Sequence, residues 1–379
     1  MHAIPSTPDP LGRAPSRRRV VLCVGPGGVG KTTTAATLAL RAACQGQRVL
    51  VVTIDPSRRL GQALGFAEEV AGGAELAVES PELAASSGSL HALLLDGRVV
   101  FDRLVAAYAA DPKAARAIVQ NPIYRATTEN LGGALEYAAI AQLQLLYAEG
   151  RYDLIVLDTP PTANALDFLV APERIHELVN NPATRLLTGG GRLGSRLIGI
   201  GNGIVIKTLS TIGGGDFLRD LGEFLRDFSG VLEAYRERAG DFQELLTSVA
   251  TGVILTTSAS PFSVREAVQF LAVLRARGLR VDAVILNRVL PPFGPLPAEG
   301  LLLPPLRRQL GERAESALGQ ITAAYGGLRT EGEHSVAAIQ AFREAYPELP
   351  IWALPRESPP PTSLADLHDL GNRFIELSN

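Results

Sequence analysis

The segment GPGGVGKTT, residues 25–33, has the residue types and spacing that bind the phosphates of a nucleotide. Glycines let backbone N–H groups turn toward phosphate oxygens, and the N-terminus of a following helix favours anions. Lys31 is predicted to bridge the β- and γ-phosphates, and the Thr32 hydroxyl to ligate Mg²⁺. The predicted nucleotide contacts in this loop are Gly27, Gly28, Val29, Gly30, Lys31, Thr32 and Thr33. A plain glycine-rich turn is disfavoured, because a predicted strand precedes the segment and a predicted helix follows it.

Two aspartates at the ends of predicted strands are candidates for the metal and the attacking water. Asp55 ends VLVVTID, and Asp158 ends LIVLD after four apolar residues, as in a Walker B motif. Ligands of open α/β sheets bind at the carboxyl ends of the strands. We expect Thr32, Asp55 and Asp158 around Mg²⁺, with Asp55 as the better candidate for polarising water. Capping of a helix or turn is the alternative role for either aspartate.

Six strand-like runs must position these residues, with helical patterns between them. They are residues 18–25, 47–55, 152–161, 251–258, 280–289 and 350–355. Near-continuous Val, Ile and Leu runs are typical of strands buried on both faces of a parallel sheet. The sequence therefore predicts an α/β fold with a doubly wound, mostly parallel sheet of the P-loop NTPase type.

Two regions interrupt this alternation and predict an inserted α-helical subdomain. Residues about 66–148 are rich in Ala and Leu, and residues about 173–247 also have helical patterns with a glycine-rich interruption. Residues 20–379 are predicted to form a single ATPase domain, preceded by a disordered arm over residues 1–19. The basic cluster at the end of that arm is interpreted as a solvated tail.

Composition limits the function classes. The chain has 379 residues, 46% of them hydrophobic, and a net charge of −3, so no electrostatic case exists for nucleic acid as a partner. The N-terminus has no apolar h-region, and no stretch reaches the ~18 uninterrupted apolar residues of a membrane span. A cytoplasmic protein, with transient membrane contact left open, is expected. Cys23 and Cys44 are the only cysteines, so we expect buried thiols and no zinc.

Five motifs together resemble the ArsA and tail-anchored-protein-targeting (Get-type) ATPase family, whose bacterial members carry the label of anion-transporting ATPases. They are GGVGKTT, TIDPSRRLGQALG, LDTPPTANALDFLVAP, ILNRV and ALPRESPPPTSLADL, and they occur in family order within residues 18–379. The family is part of the deviant-Walker-A class that also includes MinD, ParA and nitrogenase iron protein.

This resemblance implies roles for individual residues. Asp55 corresponds to the hydrolytic aspartate of switch I, and residues 158–160 correspond to the start of switch II. Asn287 corresponds to the adenine-reading amide and Pro355 to a residue that packs on adenine, while Glu266 is a looser match to a glutamate that reaches nucleotide across a dimer. A local turn cap is the alternative for Asn287. ATP and ADP are expected rather than GTP, because ILNRV lacks the aspartate of guanine-binding motifs.

The resemblance also implies a nucleotide-gated dimer that uses ATP hydrolysis to handle hydrophobic membrane-protein clients. Three alternatives are the ATPase subunit of an anion transporter, a positioning ATPase of the MinD or ParA kind, and a metabolic P-loop enzyme such as a kinase. A client site would use residues 184–217, which hold ten glycines among Leu and Ile. This segment is either a mobile lid over a hydrophobic groove or a buried loop that packs on its own chain.

The loop departs from the deviant-Walker-A class at Pro26, where related loops carry a second lysine that contacts the partner's phosphates across the dimer. Proline has neither a side-chain donor nor a backbone N–H, so Pro26 cannot make that contact. Two consequences are open. Arg58 or Arg59 replaces the lysine in a homodimer, or the partner is a related ATPase that keeps the lysine, and this chain forms half of a heterodimer.

Overall fold

A nine-stranded sheet forms the centre of the computed structural model, which describes residues 10–11, 18–54, 60–61, 64–66, 73–122, 124–125, 134–160, 228, 230–231 and 240–377. The strands are β1 (Val20–Val24), β2 (Arg48–Thr53), β3 (Glu75–Val78), β4 (Ser89–Leu94), β5 (Leu154–Asp158), β6 (Thr251–Ser258), β7 (Val281–Val289), β8 (Ile351–Pro355) and β9 (Ile375–Glu376). Their order is β3-β4-β2-β5-β1-β6-β7-β8-β9. The pairs β3–β4 and β8–β9 are antiparallel, and the pairs between them are parallel. The predicted mostly parallel sheet is confirmed.

Helices connect the strands and cover both faces of the sheet. The described helices are α1 (Lys31–Cys44), α2 (Pro81–Ala84), α3 (Gly97–Tyr108), α4 (Pro112–Gln120), α5 (Ala134–Glu149), α6 (Pro261–Ala276), α7 (Glu299–Leu310), α8 (Ala314–Ala345) and α9 (Leu364–Gly371). A short 3₁₀ turn, Gly311–Arg313, joins α7 to α8. The helices α1 and α6 end before Gly46 and Gly278, whose φ angles of 97° and 73° suit the left-handed position that follows a helix.

Two hydrophobic cores lie on opposite faces of the sheet. Val20, Leu22 and Val24 of β1 join one core with residues of α5, α6 and α8. Val21 and Cys23 join the other core, with residues of α1 and α9. Every residue of β1 is buried because successive side chains point to opposite faces and both faces are covered.

The first of the two segments expected to be helical contains strands, so that expectation is wrong in part. Strands β3 and β4 occupy residues 75–78 and 89–94, and helices follow only from Gly97. Ala and Leu favour helices by intrinsic propensity, but β4 pairs in parallel with the buried strand β2, and this tertiary contact decides its conformation. Of the second segment, residues 228, 230–231 and 240–247 are described, and they are helical.

The end of the predicted N-terminal arm is structured, which corrects the boundary at residue 19. Arg18 forms an ion pair with Asp282 at 2.6 Å and donates to the carbonyl oxygen of Val249. The guanidinium of Arg19 lies 4.6 Å from the centre of the Tyr147 ring. Arg18 and Arg19 are therefore held by these contacts at the N-terminal end of β1, rather than solvated.

A helical hairpin that the sequence analysis did not identify lies between β7 and β8. Helix α8 has 32 residues, and its C-terminal part contributes Ala338 and Phe342 to the core. Because β7 and β8 are parallel, α8 runs antiparallel to them and its N-terminal part passes the carboxyl edge of the sheet. That part is exposed over almost all of residues 319–331, and α7 packs beside its beginning.

Candidate functional site

The loop between β1 and α1 has a backbone shape that requires glycine at two positions. Gly25 and Gly30 have φ angles of 151° and 90°. A Cβ atom on Gly25 would lie 1.9 Å from the carbonyl oxygen of Thr256, and one on Gly30 would lie 2.2 Å from Nδ2 of Asn287. At Gly28, with φ of 75°, an added Cβ would meet no described atom within 4 Å, which leaves room beside the loop for a phosphate. The loop is therefore a cradle that only this glycine pattern permits.

Lys31 is the first residue of α1, and it bends back over this cradle. Its side chain is only 8% exposed, and Nζ donates to the carbonyl oxygen of Pro26 at 2.9 Å. Among the described residues, no side chain caps the N-terminus of α1. The first N–H groups of the helix and the ammonium group thus point to one place, which suits an anion such as a phosphate.

Asp158 lies beside the cradle at the end of β5, and it is fully buried. The Thr53 hydroxyl, on the neighbouring strand β2, donates to its Oδ2 at 3.0 Å. The next residue, Thr159, donates from both its N–H and its hydroxyl to the carbonyl oxygen of Cys23, at 3.2 and 2.8 Å. The register of the sheet, which pairs Cys23 with Asp158, therefore places Asp158 beside the end of the strand that leads into the phosphate loop.

Cys23 is an inert neighbour of this carboxylate. Burial raises the pKa of its thiol, the negative charge of Asp158 raises it further, and Lys31 acts in the opposite direction. A thiol that stays protonated is a poor nucleophile and a poor metal ligand. The expected buried structural role is therefore supported for Cys23, whereas Cys44 is only partly buried.

Several predicted residues lie outside the described part of the chain. They are Asp55, Arg58, Arg59 and the segment 184–217. The structure reaches Ile54, whose N–H donates to the carbonyl oxygen of Asp158 at 3.2 Å. Asp55 is the next residue in the sequence.

Asn287 joins the end of β7 to the phosphate loop. Its Nδ2 donates to the carbonyl oxygen of Val29 at 2.9 Å, and its Oδ1 accepts from the N–H of Arg288 at 2.9 Å. Arg288 has φ of 59°, an unusual value for a residue other than glycine. The two hydrogen bonds thus fix the orientation of the side-chain amide, and Asn287 is only 6% exposed.

A cavity of about 560 Å³ opens from the phosphate loop past Asn287. Thr33 lines it beside the loop, and Pro355, which ends β8, lines the other side. The structure therefore brings the phosphate loop, Asn287 and Pro355 to one cavity. Glu266 lies elsewhere, partly buried in the second turn of α6.

Residues of α8 form a wall of this cavity that sequence reasoning missed. They are Glu331, His334 and Ser335, and they face Arg356, which follows β8. A helix between two parallel strands must begin at their carboxyl edge, where ligands bind. The helical pattern before PIWALP could therefore have identified this wall.

Two features are absent from the described residues. No group of three or more His, Cys, Asp or Glu side chains in that part of the chain is arranged to hold a metal ion. A magnesium ion bound with a nucleotide needs only one or two protein oxygens, because phosphates and water supply the rest. None of the described helices is both long enough and apolar enough to cross a bilayer.

Comparison with protein families identifies the group to which this site belongs. The model of the anion-transporting ATPases, named ArsA ATPase, matches residues 18–293, which is well over half of the chain. The chain belongs to the anion-transporting ATPase family. Members of this family are P-loop ATPases, and membership implies that the chain binds a nucleotide.

Individual relatives agree with this assignment at modest identity. An uncharacterized protein of Streptomyces coelicolor is 30% identical over 360 residues, which cover 92% of this chain and 81% of the relative. A putative arsenical pump-driving ATPase of Chlorobaculum tepidum is 23% identical over 72% of this chain and 61% of its own length. The ATPase get3 of Aspergillus terreus is 25% identical over 72% of this chain and 74% of its own length.

The family match covers only part of the candidate site. It includes the phosphate loop, Asp158 and Asn287, and it ends at residue 293, before α7, α8 and β8. Pro355, Arg356 and the α8 residues of the cavity wall therefore lie beyond it. The relative from Streptomyces coelicolor, aligned over 92% of the chain, extends past this limit.

Proposed function

We propose that this chain is a Mg²⁺-dependent ATPase that works as part of a dimer and uses ATP hydrolysis to handle hydrophobic segments of membrane proteins. The observation that carries the ATPase part is the contact of Asn287 with both the phosphate loop and the adjoining cavity. This contact makes one continuous site with a place for phosphates at one end and a place for a base at the other.

The residues of the cradle bind and orient the triphosphate. Lys31 exchanges the carbonyl oxygen of Pro26 for phosphate oxygens, because a charge-assisted bond to an anion is stronger than a bond to a neutral carbonyl. The N–H groups of residues 27–33 bind the same phosphates. Asn287 reads the adenine edge and Pro355 packs on its face.

The hydroxyl of Thr32 and the carboxylate of Asp158 are the proposed protein ligands of Mg²⁺, with Asp55 close to them. The buried carboxylate beside the cradle fits this purpose, since Mg²⁺ prefers oxygen ligands and binds few protein groups. Mg²⁺ held there would neutralise the charge that develops on the phosphates during hydrolysis. Asp55 orients the attacking water and accepts its proton.

The partner subunit is proposed to be a related ATPase that carries the lysine missing here. Pro26 is buried in this structure, and its carbonyl oxygen accepts from Lys31 of the same chain. Position 26 therefore contributes no cation toward a second subunit. A homodimer in which Arg58 or Arg59 supplies that cation is the alternative.

The client part of the proposal depends on the family and on residues 184–217. We place the protein in the cytoplasm, with transient membrane contact during client handling. Relatives named arsenical pump-driving ATPases motivate a second candidate, the ATPase subunit of an anion pump. The inert Cys23 gives that candidate no thiolate for a metalloid.

Calorimetry of the purified chain with ATP, ADP and GTP tests the ATPase proposal. We expect Mg²⁺-dependent binding of ATP and ADP with a clear preference over GTP. Lys31→Ala should weaken ATP binding by about 10- to 100-fold, the loss of one charge-assisted contact, while the exposed Lys113→Ala should leave it unchanged. Equal affinity for ATP and GTP would contradict the base assignment.

Co-purification from detergent-solubilised cells tests the client. The proposal expects a hydrophobic membrane protein that binds in one nucleotide state and is released in another. Recovery of an integral transporter that stays bound in both states would instead support the pump subunit.

A further inference from the structure

The cavity beside the phosphate loop has a floor and a rim of different character. The floor holds Asn287, a buried amide that both donates and accepts. The rim holds Glu331 of α8 and Arg356 of the following loop, whose side chains are 54% and 46% exposed. A base, which carries both donors and acceptors on its edge, fits the floor, whereas the rim offers a carboxylate.

Glu331 has a defined position relative to that floor. The Oγ of Ser335, one helical turn further on, accepts from the N–H of Leu290 at 3.3 Å, directly after β7. At Gly332 the helix comes so close that an added Cβ would lie 2.6 Å from the carbonyl oxygen of Pro291. Helix α8 is thus fixed against the chain that carries Asn287, and Glu331 stands at the edge of the cavity.

Arg356 fixes the carboxylate from the opposite side. Its Nη1 donates to Oε2 of Glu331 at 2.5 Å. This pair is exposed, so it adds little to the stability of the fold. Its effect is to orient Glu331, whose carboxylate carries two oxygens and therefore accepts from further donors besides Arg356.

We propose that Glu331 binds the ribose hydroxyls of the nucleotide and makes the site prefer ribonucleotides to 2′-deoxyribonucleotides. This inference rests on the proposed nucleotide function. The ribose joins the phosphates, which lie at the loop, to the base, which lies on the floor, so it is the part of the nucleotide that meets the rim. Two neighbouring hydroxyls are donors, and a carboxylate accepts from both.

Calorimetric titration with ATP and with 2′-deoxy-ATP tests the inference without relying on turnover. The intact chain should bind 2′-deoxy-ATP about fivefold to tenfold more weakly, because a site built for a hydroxyl leaves its acceptor unpaired when the hydroxyl is missing. Glu331→Gln should weaken ATP binding and bring the ratio of the two affinities close to one.

Three further variants separate ribose binding from a structural role. Glu333→Gln is the matched control, because Glu333 lies on the same helix, pairs with Arg329 at 3.0 Å and does not line the cavity. It should keep the preference of the intact chain. Arg356→Gln breaks the ion pair but keeps the carboxylate, so it should keep a preference for ATP. Glu357→Gln removes the other cavity carboxylate, which pairs with Arg373 at 2.8 Å, and should also keep that preference.

Several results would overturn the inference. They are equal affinity of the intact chain for ATP and 2′-deoxy-ATP, a preference that survives Glu331→Gln, and a preference that is lost in Glu357→Gln instead. If Glu331→Gln and Arg356→Gln lower the affinity for ATP and for 2′-deoxy-ATP by the same factor, the ion pair acts only on the shape of the cavity. If the intact chain binds neither nucleotide, the proposed function itself fails, and this inference fails with it.

Discussion

Asn287 donates from its side-chain amide to the carbonyl oxygen of Val29, so the end of β7 and the phosphate loop are joined by a buried hydrogen bond of 2.9 Å. The same side chain lines the cavity in which we place the base. With the base in its proposed place, its binding would be coupled to the shape of the phosphate cradle through this amide.

Gly30→Ala tests this contact most directly. The new Cβ would lie 2.2 Å from Nδ2 of Asn287, at a residue whose φ is 90°, so the loop or the amide must move. We expect ATP affinity to fall at least about tenfold more than in Gly311→Ala, a position outside the site where φ is also positive and no described atom lies within 4 Å of the new Cβ. Equal affinities of the two variants in calorimetry would contradict the contact.

Thr53→Val removes the hydroxyl that donates to the fully buried Asp158 without changing the shape of the side chain. Removing a hydrogen-bond donor from a buried carboxylate should lower the free energy of unfolding by about 1–3 kcal/mol. Urea denaturation should show this loss. Thr37→Val is the control, because that buried hydroxyl donates only within its own helix, to the carbonyl oxygen of Thr33. A loss no larger than in the control would contradict a stabilising hydrogen bond between Thr53 and Asp158.

Asp55→Asn separates hydrolysis from binding. If Asp55 polarises the attacking water, the variant should bind ATP normally and lose about 10²–10⁴-fold in turnover, as expected for removal of a general base. Phosphate release and thermal melting should be measured side by side. A lower melting temperature with nearly normal turnover would assign Asp55 a capping role instead.

Pro26→Lys tests the heterodimer. We expect slow hydrolysis by the isolated wild-type chain and an increase of about tenfold or more in Pro26→Lys, since the new cation neutralises phosphate charge in the partner's site. Pro26→Ala is the control, because it removes the buried ring without adding charge. Turnover should be followed by phosphate release at several protein concentrations.

Fast wild-type turnover that is unchanged in Pro26→Lys and lost in Arg58→Ala or Arg59→Ala would reject the heterodimer. It would establish a homodimer in which an arginine of the switch I segment replaces the lysine. Both outcomes leave ATP binding intact, because the N–H groups of the cradle do not depend on the side chain at position 26.

The parts of the site that sequence reasoning identified are those fixed by local chemistry. A glycine loop between a strand and a helix admits one backbone shape, and the apolar run before Asp158 is long enough to be a buried strand. Strand β4 was missed because its Ala and Leu residues favour a helix, and only the pairing with β2 reverses that preference.

Hairpin α7–α8 was missed for a different reason. Pro304 and Pro305 lie inside α7, and Gly319, Gly326 and Gly327 lie inside α8, all residues that usually end or weaken helices. The wall that carries Glu331 therefore depends on helices that local propensity disfavours. The ion pair of Glu331 and Arg356 joins residues 25 positions apart and follows from no short motif.

The C-terminal part of helix α8 is anchored in the core, and its longer N-terminal part extends outside it. Phe342 and Ala338 hold the inner part, Glu331 borders the cavity, and the outer part from Ala314 onward is mostly exposed. At about 1.5 Å per residue the outer part measures roughly 25 Å, so a tilt of about 10° near Gly332 displaces its tip by roughly 4 Å. Such a tilt would move the rim of the cavity by less than an ångström and the tip of the hairpin by several.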